Sequence, residues 1–221
     1  MTSELAPLPS WDSEATWRTF ETDDFHTEVR GVELQKCQPD LDRYRVLIEE
    51  SQPDVVIEIG TRRGGSALWF AEQDLRVISV DRDPNAGEEA RRVTSKQRID
   101  WLTYNSVDAR LGFELTARIT QGERVMVSLD GDHHQDHVMG EITLWSPFVT
   151  PGCYLVVEDG CFDMWPADRA RVGGAQIPER GGPLGAIRRM HPLLLANGFW
   201  RDEVLESGPI SHSPVGWWRR D

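Results

Sequence analysis

Val55-Val56-Ile57-Glu58-Ile59-Gly60-Thr61-Arg62-Arg63-Gly64-Gly65-Ser66 is the stretch that decides the fold. Its first five residues are mostly β-branched and apolar, which predicts a short buried strand. Gly60 permits a sharp turn, and the apolar residues of 66–73 continue as a helix. Working outward, the same alternation repeats. Strands are expected at 76–80, ending on Asp81, and at Ile99–Thr103, Val125–Leu129 and Tyr154–Val157. Helices are expected at 88–97, 109–120, 137–148 and 183–197, the last stopped by Gly198. An earlier helix carries Leu41, Tyr44, Leu47 and Ile48 at helical spacing, with Asp40 as N-cap and Pro53 as its end. Segments 199–205 and 215–219 read as a closing antiparallel pair. The whole is an α/β domain: a mostly parallel sheet with an antiparallel C-terminal strand and helices on both faces.

The chain has 221 residues and a formal charge of −13, with a pI near 4.9. That balance argues against nucleic acid and anionic membranes as partners. Basic residues are almost all arginine; Lys36 and Lys96 are the only lysines. Cys37, Cys153 and Cys161 have no paired spacing and read as reduced thiols of a cytoplasmic protein. Residues 1–10 lack a signal-peptide pattern, and no apolar run reaches the ~18–20 residues that span a bilayer. Residues 1–38, with Trp11, Trp17, Phe20 and Phe25, are expected to form an arm, and 39–221 the main domain. Within it, 160–182 is rich in Gly, Pro and Arg and is placed to cover a substrate pocket; Cys161–Trp165, Arg169, Arg171 and Arg180 would shape that pocket.

Ligands of such sheets bind at the carboxyl ends of the strands. There, within the turn of Gly60, Thr61, Gly64, Gly65 and Ser66, Gly64 and Gly65 let the backbone approach a ligand closely, and Asp81 ends the next strand, placed to accept from ribose hydroxyls. A dinucleotide site would need a glycine where Arg62 stands. Glu58 and Asp130 suit a cationic ligand, so S-adenosylmethionine is the better match and NAD the alternative. Arg62 and Arg63 pull the other way unless they point outward. Asn105 and Ser106, after the third strand, are candidate contacts for the adenosine end.

Asp130-Gly131-Asp132-His133-His134-Gln135-Asp136-His137 admits three readings. It can be a solvated helix start, or a zinc site using His133 and His137 at i, i+4, although no His-Glu-x-x-His is present. The third reading joins Asp130 to Glu158 and Asp159. If their strands are parallel neighbours, the ends lie ~5 Å apart and three carboxylates crowd one volume. A hard divalent ion such as Mg2+ then fits between them, with His133 beside it as general base. This third reading is the one adopted.

These segments together resemble the cephalosporin hydroxylase / rhamnosyl O-methyltransferase family. The resemblance runs through Gly31-Val32-Glu33-Leu34-Gln35-Lys36, Pro39-Asp40-Leu41, Tyr44, residues 52–61, Gly64-Gly65-Ser66-Ala67 and Val77-Ile78-Ser79-Val80-Asp81. It continues through Leu129-Asp130-Gly131-Asp132-His133, Pro151-Gly152 and Val157-Glu158-Asp159, and more weakly through Gly181-Gly182-Pro183. It implies a Rossmann-like class I methyltransferase fold, S-adenosylmethionine and Mg2+ as cofactors, and homo-oligomers. It also implies Asp130, Glu158 and Asp159 as ion ligands and His133 as base, for methylation of a sugar or natural-product hydroxyl in secondary metabolism such as antibiotic biosynthesis. A carboxyl O-methyltransferase and a non-catalytic binding protein are the remaining alternatives. Tyr104-Asn105-Ser106 departs from the Gly-Asp-Ser that relatives tend to carry, which leaves the adenine contacts open.

Overall fold

A computed structural model of the chain describes residues 27–94, 98–164, 171–172, 175–176, 181–207 and 210–221. The four aromatics of the expected arm, together with Lys96, Trp165, Arg169 and Arg180, lie outside these residues. The strands are β1 (Thr27–Val29), β2 (Val32–Leu34), β3 (Val55–Ile59), β4 (Arg76–Asp81), β5 (Ile99–Thr103) and β6 (Val125–Leu129). They continue with β7 (Tyr154–Val157), β8 (Arg171–Val172), β9 (Ala175–Gln176), β10 (Phe199–Arg201) and β11 (Trp217–Arg220). The helices are α1 (Gln38–Ser51), α2 (Gly65–Glu72), α3 (Glu88–Val93), α4 (Arg110–Arg118), α5 (Gln135–Trp145), α6 (Pro183–Ala196) and α7 (Glu203–Glu206), with short 3-10 turns at Ser146–Phe148 and Gly160–Met164.

Seven strands make one sheet in the order β10-β11-β7-β6-β3-β4-β5. β3 to β7 pair in parallel; β11 is antiparallel to β7 and to β10. Every residue of β3, β6 and β7 is buried, as expected of parallel strands covered on both faces. From β3 the chain winds outward through β4 and β5, then returns on the other side to β6 and β7. This reversal opens a crevice at the carboxyl ends of β3 and β6. The ladder continues into the connecting loops and fixes them: Asp130 N donates to Ile59 O, Gly60 N to Val80 O and Glu158 N to Leu129 O.

Local chemistry moved several boundaries. Cys37, not Asp40, is the N-cap of α1. Asp40 lies inside the first turn, buried, where it pairs with Arg43 and accepts from His212 N. α5 begins at Gln135, so His133 precedes the helix that carries His137. After β10, the chain turns into α7, capped by Asp202 through Leu205 N. The β1–β2 hairpin, which pairs Val29 with Val32, was not anticipated.

Candidate active site

The crevice is a cavity of about 610 Å³. One part is lined by Gly60, Thr61, Ser66, Asp81 and Asn85, another by Tyr104, Asn105, Ser106 and His137, and a third by Asp130, His133, Asp159 and Phe162. Most of the expected cofactor residues therefore share one space.

The glycine turn is held from beneath. Asp81 Oδ2 accepts from Thr61 N and Arg62 N at 3.0 Å each, and Oδ1 from Asp83 N at 2.9 Å. The glycines also answer to packing. A Cβ on Gly60, at φ +99°, would meet Asp130 O at 1.9 Å, and one on Gly65 would meet Glu33 O of β2 at 2.1 Å. Gly65 thus admits the hairpin and also lines the cavity. Arg62 and Arg63, half exposed at the rim of the cavity they help line, pair with Glu33 at 3.5 and 2.9 Å, and Arg63 also reaches Glu89.

Glu58 departs from its expected place. It lies beneath the cavity, buried, with Oε2 accepting from Ser79 Oγ and Oε1 lacking a hydrogen-bond partner. Burial pushes its carboxyl up to about 7, against the pull of Ser66, Ser79 and Lys36. Asn105 turns its Oδ1 to Val107 N in a local turn. Ser106 belongs to a relay: His137 Nε2 is 2.8 Å from its Oγ, which donates to the buried Glu141. Because the serine proton goes to the carboxylate, His137 must donate from Nε2.

At the ends of β6 and β7, Asp130, His133 and Asp159 bring one ligand atom each within 4.8 Å of the others. His133 Nε2 stands 3.0 Å from Asp159 Oδ2 and 3.6 Å from Asp130 Oδ1, yet it is buried and makes no aligned hydrogen bond. Asp159 adopts φ 58°, a left-handed conformation that Asp tolerates better than most residues. Phe162 packs edge-on against the His133 ring. Burial disfavours the imidazolium, but Asp130 and Asp159 outweigh it and raise His133 to about 10. Two carboxylate oxygens converging beside the imidazole fit a divalent cation. His137 instead serves Ser106 and Glu141, so the i, i+4 zinc pair is not assembled.

Glu158 does not join that trio. Lys36 Nζ lies 2.7 and 2.6 Å from its two oxygens and 2.9 Å from Asp130 Oδ2. Tyr44 and Ser128 also donate to Glu158 Oε1, each at 2.6 Å. Burial raises Glu158 and outweighs the opposing pull of Lys36; burial and Glu158 together keep the Tyr44 phenol protonated. For Asp130, Lys36 and His133 overcome the effect of burial and hold the carboxyl low. The expected three-carboxylate cluster is therefore split by an ammonium group. Sequence reading missed Lys36; its isolation in an arginine-rich chain, just ahead of α1, was the available signal. Tyr44 stood out only as part of the resemblance, and Ser128 and Glu141 gave no signal.

A model of the rhamnosyl O-methyltransferase/CmcI family matches residues 24–221. The chain belongs to this family. Among curated members, the rhamnosyl O-methyltransferase of Mycobacterium tuberculosis (strain H37Rv) is 31% identical over 140 residues, covering 60% of this chain and 56% of the relative. That of Mycobacterium leprae is 33% identical over 142 residues, covering 60% of each. The chain thus spans little more than half the length of the relatives it matches. Among solved structures, an apo CmcI covers 100% of this chain and 87% of its own, with TM-score 0.62 and 20% identity. MycE, a methyltransferase of the mycinamycin biosynthetic pathway solved with Mg, SAH and mycinamycin VI, covers 94% of this chain and 53% of its own, with TM-score 0.56 and 20% identity. The fold is the class I methyltransferase fold, with an antiparallel strand, β11, near one edge.

Proposed function

We propose that this chain transfers a methyl group from S-adenosylmethionine to a hydroxyl of a sugar or natural-product intermediate, with a divalent cation such as Mg2+ and with His133 as general base. The observation that carries this reading is the meeting of Asp130, His133 and Asp159 at a cavity that also contains the glycine turn and Asp81. Family membership supports it, as do a CmcI structure with Mg and SAM and the MycE complex with Mg, SAH and mycinamycin VI.

The turn from Gly60 to Ser66, with Asp81, would hold the adenosyl and amino-acid parts of the cofactor; Asn105, Ser106 and His137 would face the adenine end. Asp130 and Asp159 would hold the cation, with Glu158 anchored behind them. Bound there, a cation would lower the pKa of an acceptor hydroxyl, and S-adenosylmethionine would supply an electrophilic methyl group. With a cation satisfying the charge of the two aspartates, His133 would lose what keeps it protonated, and Nε2 would take the hydroxyl proton. Phe162 fixes the ring for that step. Segment 160–182 would cover the acceptor.

The test is label transfer from S-adenosylmethionine to a panel of deoxysugar glycosides, with Mg2+ and with EDTA. Transfer that requires Mg2+ is expected. Turnover that survives EDTA overturns the cation's role. Cofactor binding without transfer to any hydroxyl overturns the enzymatic reading, and a base-labile product would mark a carboxyl acceptor instead.

A further inference from the structure

The short turn Gly160–Met164 brings Phe162 to the cavity wall, edge-on to the His133 ring with 4.8 Å between centroids. The next residue, Asp163, reaches the N-terminus of α6. That terminus has no cap of its own: Gly182 stands at the N-cap without a side chain, and Pro183 at the start of the helix has no N–H. Asp163 supplies the cap from outside the helix. Its Oδ1 accepts from Gly182 N at 2.5 Å, and its Oδ2 from Leu184 N at 2.7 Å and Gly185 N at 3.2 Å. Glycine at 182 suits this approach, because a Cβ there would lie 3.0 Å from Asp163 Oδ2. A carboxylate on three backbone donors, at the positive end of a 14-residue helix, is a strong tether. The same terminus also holds the chain beside His133: Gly181 O accepts from Gln135 N, two residues further on.

We propose that Asp163 is a positioning residue for the base: it fastens the turn to α6 so that the Phe162 ring keeps the His133 imidazole in place. This inference rests on the reading of His133 as general base given above. The imidazole and the ring against it come from different segments, and both segments are attached at residues 181–185. While both attachments hold, neither segment shifts alone. The competing account is that Asp163 only stabilises α6. A cap that served the helix alone would leave the ring contact intact when removed, since Phe162 N is also bonded to Asp159 O. The ring contact is therefore the quantity to measure.

The experiment records the histidine ring resonances by ¹H–¹³C NMR at one pH, with neither cofactor nor cation, in wild type, Asp163→Ala, Asp163→Asn and Phe162→Leu. Phe162→Leu removes the aromatic ring and shows where the His133 signals lie without it. Asp163→Ala is expected to move them most of the way toward that position. Asp163→Asn, which keeps one acceptor oxygen, should move them less. His191, on the body of α6 against Trp218, should keep its wild-type signals. Turnover of Asp163→Ala should fall by about 10- to 100-fold, the scale of a misplacement near 1 Å, with S-adenosylhomocysteine affinity as in wild type. His133 signals or turnover left at wild-type values overturn the inference. So does an equal displacement of the His191 signals, which marks a helix disturbed as a whole. Should the alanine variant not fold, the asparagine variant decides by the same criteria. A wild-type protein that transfers no methyl group refutes the enzymatic reading itself, a different result from unmoved His133 signals in a competent enzyme.

Discussion

At the residue scale, the site is governed by how a few charges share partners. Asp130 serves Lys36 with one oxygen and faces His133 with the other. His133 is held in its charged form by Asp130 and Asp159 against the effect of burial, so its use as a base depends on those carboxylates being otherwise engaged. His133→Ala is therefore expected to reduce turnover by about 10²- to 10⁴-fold, the usual contribution of a positioned base, while S-adenosylhomocysteine affinity stays close to wild type. Calorimetry and steady-state rates check both halves; a variant that loses cofactor affinity and keeps its turnover number would refute the assignment. The sequence disclosed Asp130, His133 and Asp159 because they follow recognisable strands. It marked the lysine as unusual but could not give its partner: contact between residues 36 and 158 is set by the return of a segment ahead of α1 onto the end of β7. Glu158, read as a ligand by its place beside Asp159, is turned toward that lysine.

At the scale of elements, the strands were legible and their neighbours less so. Val55–Ile59, Ile99–Thr103, Val125–Leu129 and Tyr154–Val157 stand as expected, since apolar β-branched runs bounded by polar or glycine residues leave little choice of register. Helix ends shifted because capping depends on which polar group is free: Asp40 was drawn to Arg43 and His212 N instead of capping α1. The glycines answer to packing as well as to the cavity. Gly65 lies where α2 begins against the β1–β2 hairpin, and an added Cβ would strike backbone, with Glu33 C at 2.7 Å and Leu34 Cα at 2.9 Å besides the Glu33 oxygen. Backbone yields less readily than a side chain. Gly65→Ala should therefore cost about 1–3 kcal/mol, the range for overpacking, and lower the melting temperature by roughly 2–4 °C for each kcal/mol. Glu33 and Gln35 line the cavity, so cofactor affinity should fall as well. Thermal unfolding with and without S-adenosylhomocysteine tests this; a variant with wild-type melting and binding would show that the hairpin accommodates the methyl group.

At the scale of the whole molecule, the C-terminal return ties the layers of the fold together beside the site. His212 N donates to Asp40 Oδ2 of α1, its carbonyl accepts from Cys161 N after β7, and five residues later β11 enters the sheet. The cost of that arrangement is a buried imidazole. Burial, aided by the Lys36 charge and only partly offset by Asp130, lowers His212 to about 3. The unfolded chain binds a proton there near pH 6.5 and the folded chain does not, so between those values the unfolded state carries the extra proton. Stability then rises with pH across this window, and acidification below about pH 6.5 withdraws it at roughly 1.4 kcal/mol per pH unit once titration of the unfolded histidine is complete. His212→Gln removes this one proton and leaves the other five histidines in place. Urea unfolding of both proteins between about pH 7 and 5 should give a shallower loss of stability for the variant, the difference growing toward the acid end. Parallel curves would mean that His212 takes up its proton in the folded state, and that the return segment opens to water before the sheet does.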